Sequence, residues 1–375
     1  MAARGLKVLK GHWVGAISLV LINALGLLTL SSADSYSGDS FLRPQLVWTL
    51  VGYLVALAAA FIDIRIVERY AYFFYGIIMF LLAITPLVGT TINNSRRWII
   101  IGNQQMQPSE FMKLAVVLAL AKLLQRTKGP EPFTLRTLIR PGLIIGVPFL
   151  FVLGQPDLGT GLIIAFIGTS MLLLEGIRAR TLAFLVAGAL VVVPLAWHFD
   201  WMHGYQKDRV RLWLSSEELD PRNPEHKRIL DKNLQTEQAL WAIGSGQLAG
   251  KGIRGGAQSR LKHLPEMQND FIIAIFGEEH GFVGCIALAV LYWIVVVWAL
   301  GVARRAKERF YSMVAVGFAA IIFWHFFVNV GMVTGVLPVV GVPLPLMSYG
   351  GSAALTNLTA FGLLLNVATT KVRIN

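Results

Sequence analysis

Long apolar runs separated by short polar breaks occupy almost the whole chain. The runs lie at 13–31, 46–63, 71–88, 111–125, 141–154, 158–175, 181–198, 281–300, 312–333 and 353–369. A helix that crosses a bilayer needs about 20 predominantly apolar residues, so the pattern predicts about ten transmembrane helices. The fourth and fifth runs are short and would tilt or extend into their flanks. The rhythm breaks once, over residues 199–270. That segment contains a helix-like stretch, Asn233 to Ile243, followed by Gly244-Ser245-Gly246-Gln247 and Gly250-Lys251-Gly252. The glycines read as tight turns, since glycine alone takes positive φ without steric cost. The expected architecture is an all-α integral membrane protein. It would be a single polytopic domain over 1–375 with one large loop between spans seven and eight.

Charge orients the helices. With the N-terminus inside, the inner segments collect 18 Lys and Arg, while the short outer loops hold only Arg43, Arg96 and Arg97. Cytoplasmic loops accumulate Lys and Arg, so both termini are expected to be cytoplasmic and the 199–270 loop extracytoplasmic. That loop carries 11 Lys and Arg, which is permitted because long loops cross largely regardless of charge. An anionic substrate on the outer face would account for the excess; pairing with Glu217, Glu218, Asp220, Glu225 and Asp231 would account for it as well.

Composition agrees with this class. Hydrophobic residues make up 55% of the 375 and charged residues 14%, against nearer a quarter charged in soluble proteins. The net charge of +12 would suggest nucleic acid in a soluble chain. Here the inner loops explain it, and no nucleic-acid partner is expected. The run from Trp13 to Leu30 lacks a small-residue cleavage pattern behind it, so it reads as a retained span rather than a signal peptide. The single cysteine, Cys285, rules out an intrachain disulfide and a cysteine-based zinc site. No Walker loop or Ser/His/Asp arrangement is legible, which argues against a nucleotide-driven pump.

Ionisable residues near a bilayer are costly and are functional candidates by default. Four polar clusters fall on the predicted outer face. The first is Arg96-Arg97-Trp98 with Gln107-Pro108-Ser109-Glu110 and Lys113. Pro108 suits the first turn of a helix, and Glu110 and Lys113 share a helix face. The pair either neutralises itself or lets Lys113 hold a phosphate, and Arg97 either anchors the interface or meets a ligand. The second is Gln155-Pro156-Asp157-Leu158-Gly159-Thr160, where Asp157 either caps the following helix or belongs to a polar site between two helices. The third is Leu264-Pro265-Glu266 with Asp270-Phe271. If that stretch is helical, its two carboxylates face one way; such a pair raises one pKa and suits a general base, though most are solvated surface. The fourth, Pro338 to Ser352, is a proline-stiffened hairpin that either closes two helices or presents Ser348 and Tyr349 to a ligand.

Taken together, Gln107-Pro108-Ser109-Glu110, Gln155 to Thr160, Leu264-Pro265-Glu266 with Asp270-Phe271-Ile272, and Pro343-x-Pro345-x-x-Ser348-Tyr349-Gly350-Gly351-Ser352 resemble the motifs of the SEDS (shape, elongation, division and sporulation) family, in the family's order and over nearly the whole chain. Tyr205-Gln206-x-x-Arg209 and Gly250-Lys251-Gly252 to Gln258-Ser259 look like the elongation branch of that family more than the division branch. One departure is visible: Gln268-Asn269-Asp270-Phe271 stands where the family usually has His-Thr-Asp-Phe, so the aspartate is kept and its two predecessors differ.

The resemblance implies a peptidoglycan glycosyltransferase that polymerises lipid II into glycan strands on the outer leaflet of the bacterial inner membrane and releases undecaprenyl pyrophosphate. Its implied partners are lipid II, a class B penicillin-binding protein, other elongation-complex proteins and membrane lipid. The chemistry needs a carboxylate base, for which Asp270 is the candidate, and cations for the leaving pyrophosphate, for which Arg97, Lys113, Arg209 and Lys251 are candidates. Ser109, Glu110, Asp157 and Glu266 complete the candidate substrate site. A divalent cation, Mg or Mn, would help carry the pyrophosphate charge, but no site for one is legible. A lipid II transporter, or a non-catalytic scaffold for the crosslinking enzyme, are the alternatives. A transporter would need polar residues through the inner half of the bilayer as well.

Overall fold

Eleven helices account for most of the residues that the computed structural model describes, which are 13–92, 95–102, 104–125, 133–199, 204, 207, 210, 213, 224–257 and 268–373. In chain order they are α1 (Trp13–Ser37), α2 (Leu42–Phe61), α3 (Ile64–Val88), α4 (Pro108–Leu124), α5 (Ile139–Leu153), α6 (Leu158–Glu175), α7 (Ala179–His198), α8 (Pro224–Ser245), α9 (Ile272–Arg305), α10 (Arg309–Val333) and α11 (Gly351–Arg373). Each of the ten apolar runs coincides with one of these helices, and α8 occupies the polar segment between the seventh and eighth runs. Seven are long and apolar enough to cross a membrane: α1, α2, α3, α6, α9, α10 and α11. The protein is therefore a mostly helical, multi-pass membrane protein.

The all-α expectation needs one correction. Between α3 and α4 the chain forms a small antiparallel meander of β1 (Thr90–Ile92), β2 (Ser95–Ile101) and β3 (Gln104–Met106), in the order β1-β2-β3. Ile99 pairs with Met106 and Ile101 with Gln104. Gly102 sits in the turn at φ +63, which glycine adopts freely.

Local chemistry sets the helix ends that matter here. Pro108 opens α4 at a position where a missing N–H costs nothing. Asp157 caps α6 by accepting from the Thr160 amide at 3.2 Å. In the bundle, α4 and α10 are the most enclosed helices. Almost every residue from Pro108 to Leu124 is buried, and so is the run from Met313 to Ile322. Helix α11 packs chiefly on α2, and α9 on α10 and α1. The outer surfaces of α2, α3 and α7 are apolar and exposed, with Leu54, Phe73, Phe80, Phe184 and Leu190 each more than half exposed. Lipid rather than water suits such a surface.

Candidate active site

The return from α10 to α11, residues 334–350, gathers the polar residues. Asn329, one turn before the end of α10 and fully buried, donates from Nδ2 to the Val342 carbonyl at 2.7 Å and to the Asp270 carbonyl at 2.9 Å. Ser348 donates to the Asn269 carbonyl at 2.6 Å and accepts from the Leu344 amide at 2.8 Å, and the Tyr349 amide donates to the Gln268 carbonyl at 2.9 Å. These bonds tie the turn at 268–271, which ends in Asp270 and Phe271 before α9 begins, to the hairpin. Gly341 lies between them at φ +73, and a Cβ there would come within 3.1 Å of Asp270 Oδ2. The same hairpin passes over the start of α6. A Cβ on Gly159 would meet the Val340 carbonyl at 2.5 Å and the Gly341 carbonyl at 3.1 Å.

Asp157 sits on the other side of that contact, buried. Besides capping α6 it accepts from Gln107 Nε2 at 2.9 Å and faces Arg97 Nη1 at 3.6 Å. Arg97, on β2, is partly exposed, and its Nε is buried without a hydrogen-bond partner among the described residues. The Gln107 amide donates to Ser352 Oγ at 3.0 Å, joining the start of α4 to the start of α11. Ser109 lies in the first turn of α4, its Oγ buried and without a partner among the described residues. Beside Ser352 opens a mostly apolar pocket of about 260 Å³ lined by Trp48, Gln104, Gln105, Met106, Phe111 and Leu355.

Lys113 is buried within α4. Its ammonium lies 2.8 Å from both oxygens of Glu110 and 2.8 Å from His325 Nε2. The His325 ring in turn bonds the Pro343 carbonyl through Nδ1 at 3.1 Å. A carbonyl only accepts, so Nδ1 carries the proton and Nε2 is the acceptor for Lys113. Burial also pushes the Tyr349 phenol above its ordinary pKa.

The structure thus gathers five of the predicted residues around one hairpin: Lys113 is linked to it through His325, with Glu110 one bond further, Asp270 through Asn329, and Asp157 with Arg97 lies at the start of α6, over which the hairpin passes. Ser109 joins them through the first turn of α4. Lys251 is elsewhere. Its ammonium bonds Glu278 Oε1 and Ser245 Oγ, each at 2.7 Å. Arg209 and Glu266 lie outside the described residues. His325, Asn329 and Gly341 were not singled out from sequence. The first two carried a usable signal, being polar side chains inside an otherwise apolar run. For a divalent cation beside the pyrophosphate, the described residues offer no ligand cluster. No three His, Cys, Asp or Glu side chains converge, and Glu110 and Asp157 already accept from protein donors.

Across residues 9–373 the chain matches the cell cycle protein family that groups FtsW, RodA and SpoVE. It is 36% identical to the peptidoglycan glycosyltransferase MrdB of Escherichia coli K12 over 353 residues, covering 94% of this chain and 91% of that protein. Its fold is similar to a chain from a peptidoglycan synthase complex solved to describe the structural coordination of polymerization and crosslinking, with a TM-score of 0.79, 30% identity, and 96% and 98% of the two chains covered. It is similar also to the rod shape determining protein RodA of Thermus thermophilus, with a TM-score of 0.69, 27% identity, and 95% and 96% covered.

Proposed function

The chain belongs to the FtsW, RodA and SpoVE family of cell cycle proteins, and from that premise we propose that it is the peptidoglycan glycosyltransferase of cell elongation, with Asp270 as its general base. The substrate is lipid II. The reaction extends a glycan strand and releases undecaprenyl pyrophosphate, and a class B penicillin-binding protein works beside it to crosslink the product. All ten apolar helices span, both termini are cytoplasmic, and the hairpin at 334–350 and the segment around α8 face outward.

The observation that carries the site is the convergence of the Asp270 turn and the capped start of α6 on Gly341. A sugar hydroxyl attacking an anomeric carbon loses a proton, and a carboxylate held by its backbone in a fixed turn is suited to take it; such a base contributes about 10²–10⁴-fold. The departing pyrophosphate needs cations. Arg97, partly exposed and with its Nε unpartnered among the described residues, meets that need. Lys113, buried with its ammonium held by Glu110 and His325, supports the site from within the bundle by fixing α4 to α10. The apolar pocket beside Ser352 suits the first part of a polyprenyl chain, because Ser352 bonds Gln107, which in turn bonds Asp157.

The test is polymerisation of purified lipid II by the detergent-solubilised protein with its class B partner, wild type against Asp270→Asn. Long glycan from the wild type alone is the expected result. Equal glycan from both would move the base to another residue, with Glu266 next in line. Glycan from neither, in an assay where a known polymerase works, would overturn the reading in favour of transport or scaffolding.

A further inference from the structure

Helix α9 is broken at Gly281, whose φ of 64° and ψ of −167° belong to a region open essentially to glycine alone. The break divides the helix into a short segment, 272–280, which follows directly on Asp270, and a long one, 282–305. A helix end leaves backbone groups without partners, and here two ends meet inside the protein. Residues 247–252 splint them. The Lys251 and Gly252 amides donate to the Glu278 and Glu279 carbonyls at 3.0 and 2.9 Å. The Phe282 and Val283 amides donate to the Gln247 and Leu248 carbonyls at 2.8 and 3.1 Å.

Side chains add a second set of ties at the same place. Glu278 and Glu279 are both buried. Glu278 accepts from Lys251 and Ser245. Glu279 Oε1 accepts from the Tyr36 hydroxyl at 2.8 Å and from the Arg254 amide at 2.8 Å, and the Tyr36 oxygen accepts from the Gly256 amide at 3.1 Å. Glu279 Oε2 has no partner among the described residues. A buried carboxylate with one oxygen unsatisfied is costly, and neither the hairpin nor the Lys113 network uses it. What Glu279 does is join the end of α1 to the far end of the segment that begins at Asp270.

We propose that Glu279 is a positioning residue for glycan polymerisation: its bonds to Tyr36 and the Arg254 amide fix the 272–280 segment against α1 and thereby set the place of Asp270. This rests on the reading of Asp270 as the base. The seven steps of helix from Ile272 to Glu279 alone amount to about 10 Å of rise, so Glu279 does not touch the reacting atoms. Its effect comes through geometry, and a misplacement of about 1 Å at a reacting group costs on the order of 10²-fold.

The test uses the full chain with its class B partner in the lipid II assay, measuring kcat and KM for wild type, Glu279→Leu, Glu279→Gln and Tyr36→Phe, with Asp270→Asn as reference. Glu279→Leu should lower kcat by about 10- to 10²-fold while KM for lipid II stays within about twofold. Glu279→Gln keeps an acceptor for both donors and should restore most of kcat. Tyr36→Phe removes one hydroxyl only and should lower kcat several-fold, again at constant KM. Normal kcat in both Glu279→Leu and Tyr36→Phe would overturn the proposal, as would a glutamine variant no better than leucine or a change confined to KM. If the leucine variant cannot be purified, Tyr36→Phe against Glu279→Gln decides. A wild type that makes no glycan, or an Asp270→Asn variant as active as wild type, would instead fault the reading of the base.

Discussion

Lys113 and His325 are 212 residues apart in the chain, and their side-chain nitrogens lie 2.8 Å apart in the middle of the bundle. With Glu110 taking the other protons, the ammonium is fully satisfied without solvent. The imidazole is neutral and oriented by Pro343, so α4, α10 and the hairpin are held to one another through one buried cation.

Replacing His325 by leucine should therefore do two things. It leaves one ammonium proton without an acceptor, which costs about 1–3 kcal/mol for a buried polar group and more for a charged one. It also frees the Pro343 carbonyl from its donor. The melting temperature of the purified protein should fall, and polymerisation should fall with it. Glutamine at 325 can both accept and donate and should recover much of each loss. Thermal melting and glycan yield of the two variants, side by side, check this. Equal behaviour of leucine and glutamine would mean that the ring's volume matters and its nitrogens do not.

Gly341 gives a second prediction. It combines a positive φ with a close approach to Asp270 Oδ2, so Gly341→Ala meets both backbone strain and a contact at 3.1 Å. Gly102 is a built-in control, with φ +63 and open space where its Cβ would stand. Both alanines carry a left-handed penalty of roughly 1–2 kcal/mol. Only the one at 341 presses on the carboxylate. Glycan synthesis should fall at least about tenfold in Gly341→Ala beyond any loss of stability it shares with Gly102→Ala. If activity tracks melting temperature equally in both, the hairpin does not hold Asp270 in place.

The ten apolar helices were legible because each contains a long apolar run, and the membrane leaves such a run no alternative to internal hydrogen bonding. The β1–β3 meander was not, because strands of three to seven residues beside Arg96, Arg97 and Gln104 show no clean alternation and read as loop. Asp270 and Asp157 were legible as carboxylates at the edges of apolar runs. Lys251 was read as a candidate for pyrophosphate as one of the cations expected on the outer surface. Its partner, Glu278, lies 27 residues on, in the first turns of α9, where apolar residues on either side hide two adjacent carboxylates. His325 and Asn329 were concealed in the same way within α10. In each case the informative feature was the lone polar residue that the average over the run suppresses.

Asp157 separates the two roles that its sequence position left open. As a cap it needs only an oxygen for the Thr160 amide; as a partner of Arg97 it needs its charge. Asp157→Asn keeps an acceptor for the cap and removes the charge, whereas Asp157→Ala removes both. The alanine variant should lose about 1 kcal/mol or more of stability, as lost caps do, together with the Gln107 bond. The asparagine variant should melt close to wild type. If Arg97 serves an anionic leaving group, its freedom from Asp157 alters how it meets that anion, so Asp157→Asn should change glycan synthesis at nearly constant melting temperature. Activity that follows stability alone through both variants would reduce Asp157 to a cap and remove Arg97 from the site.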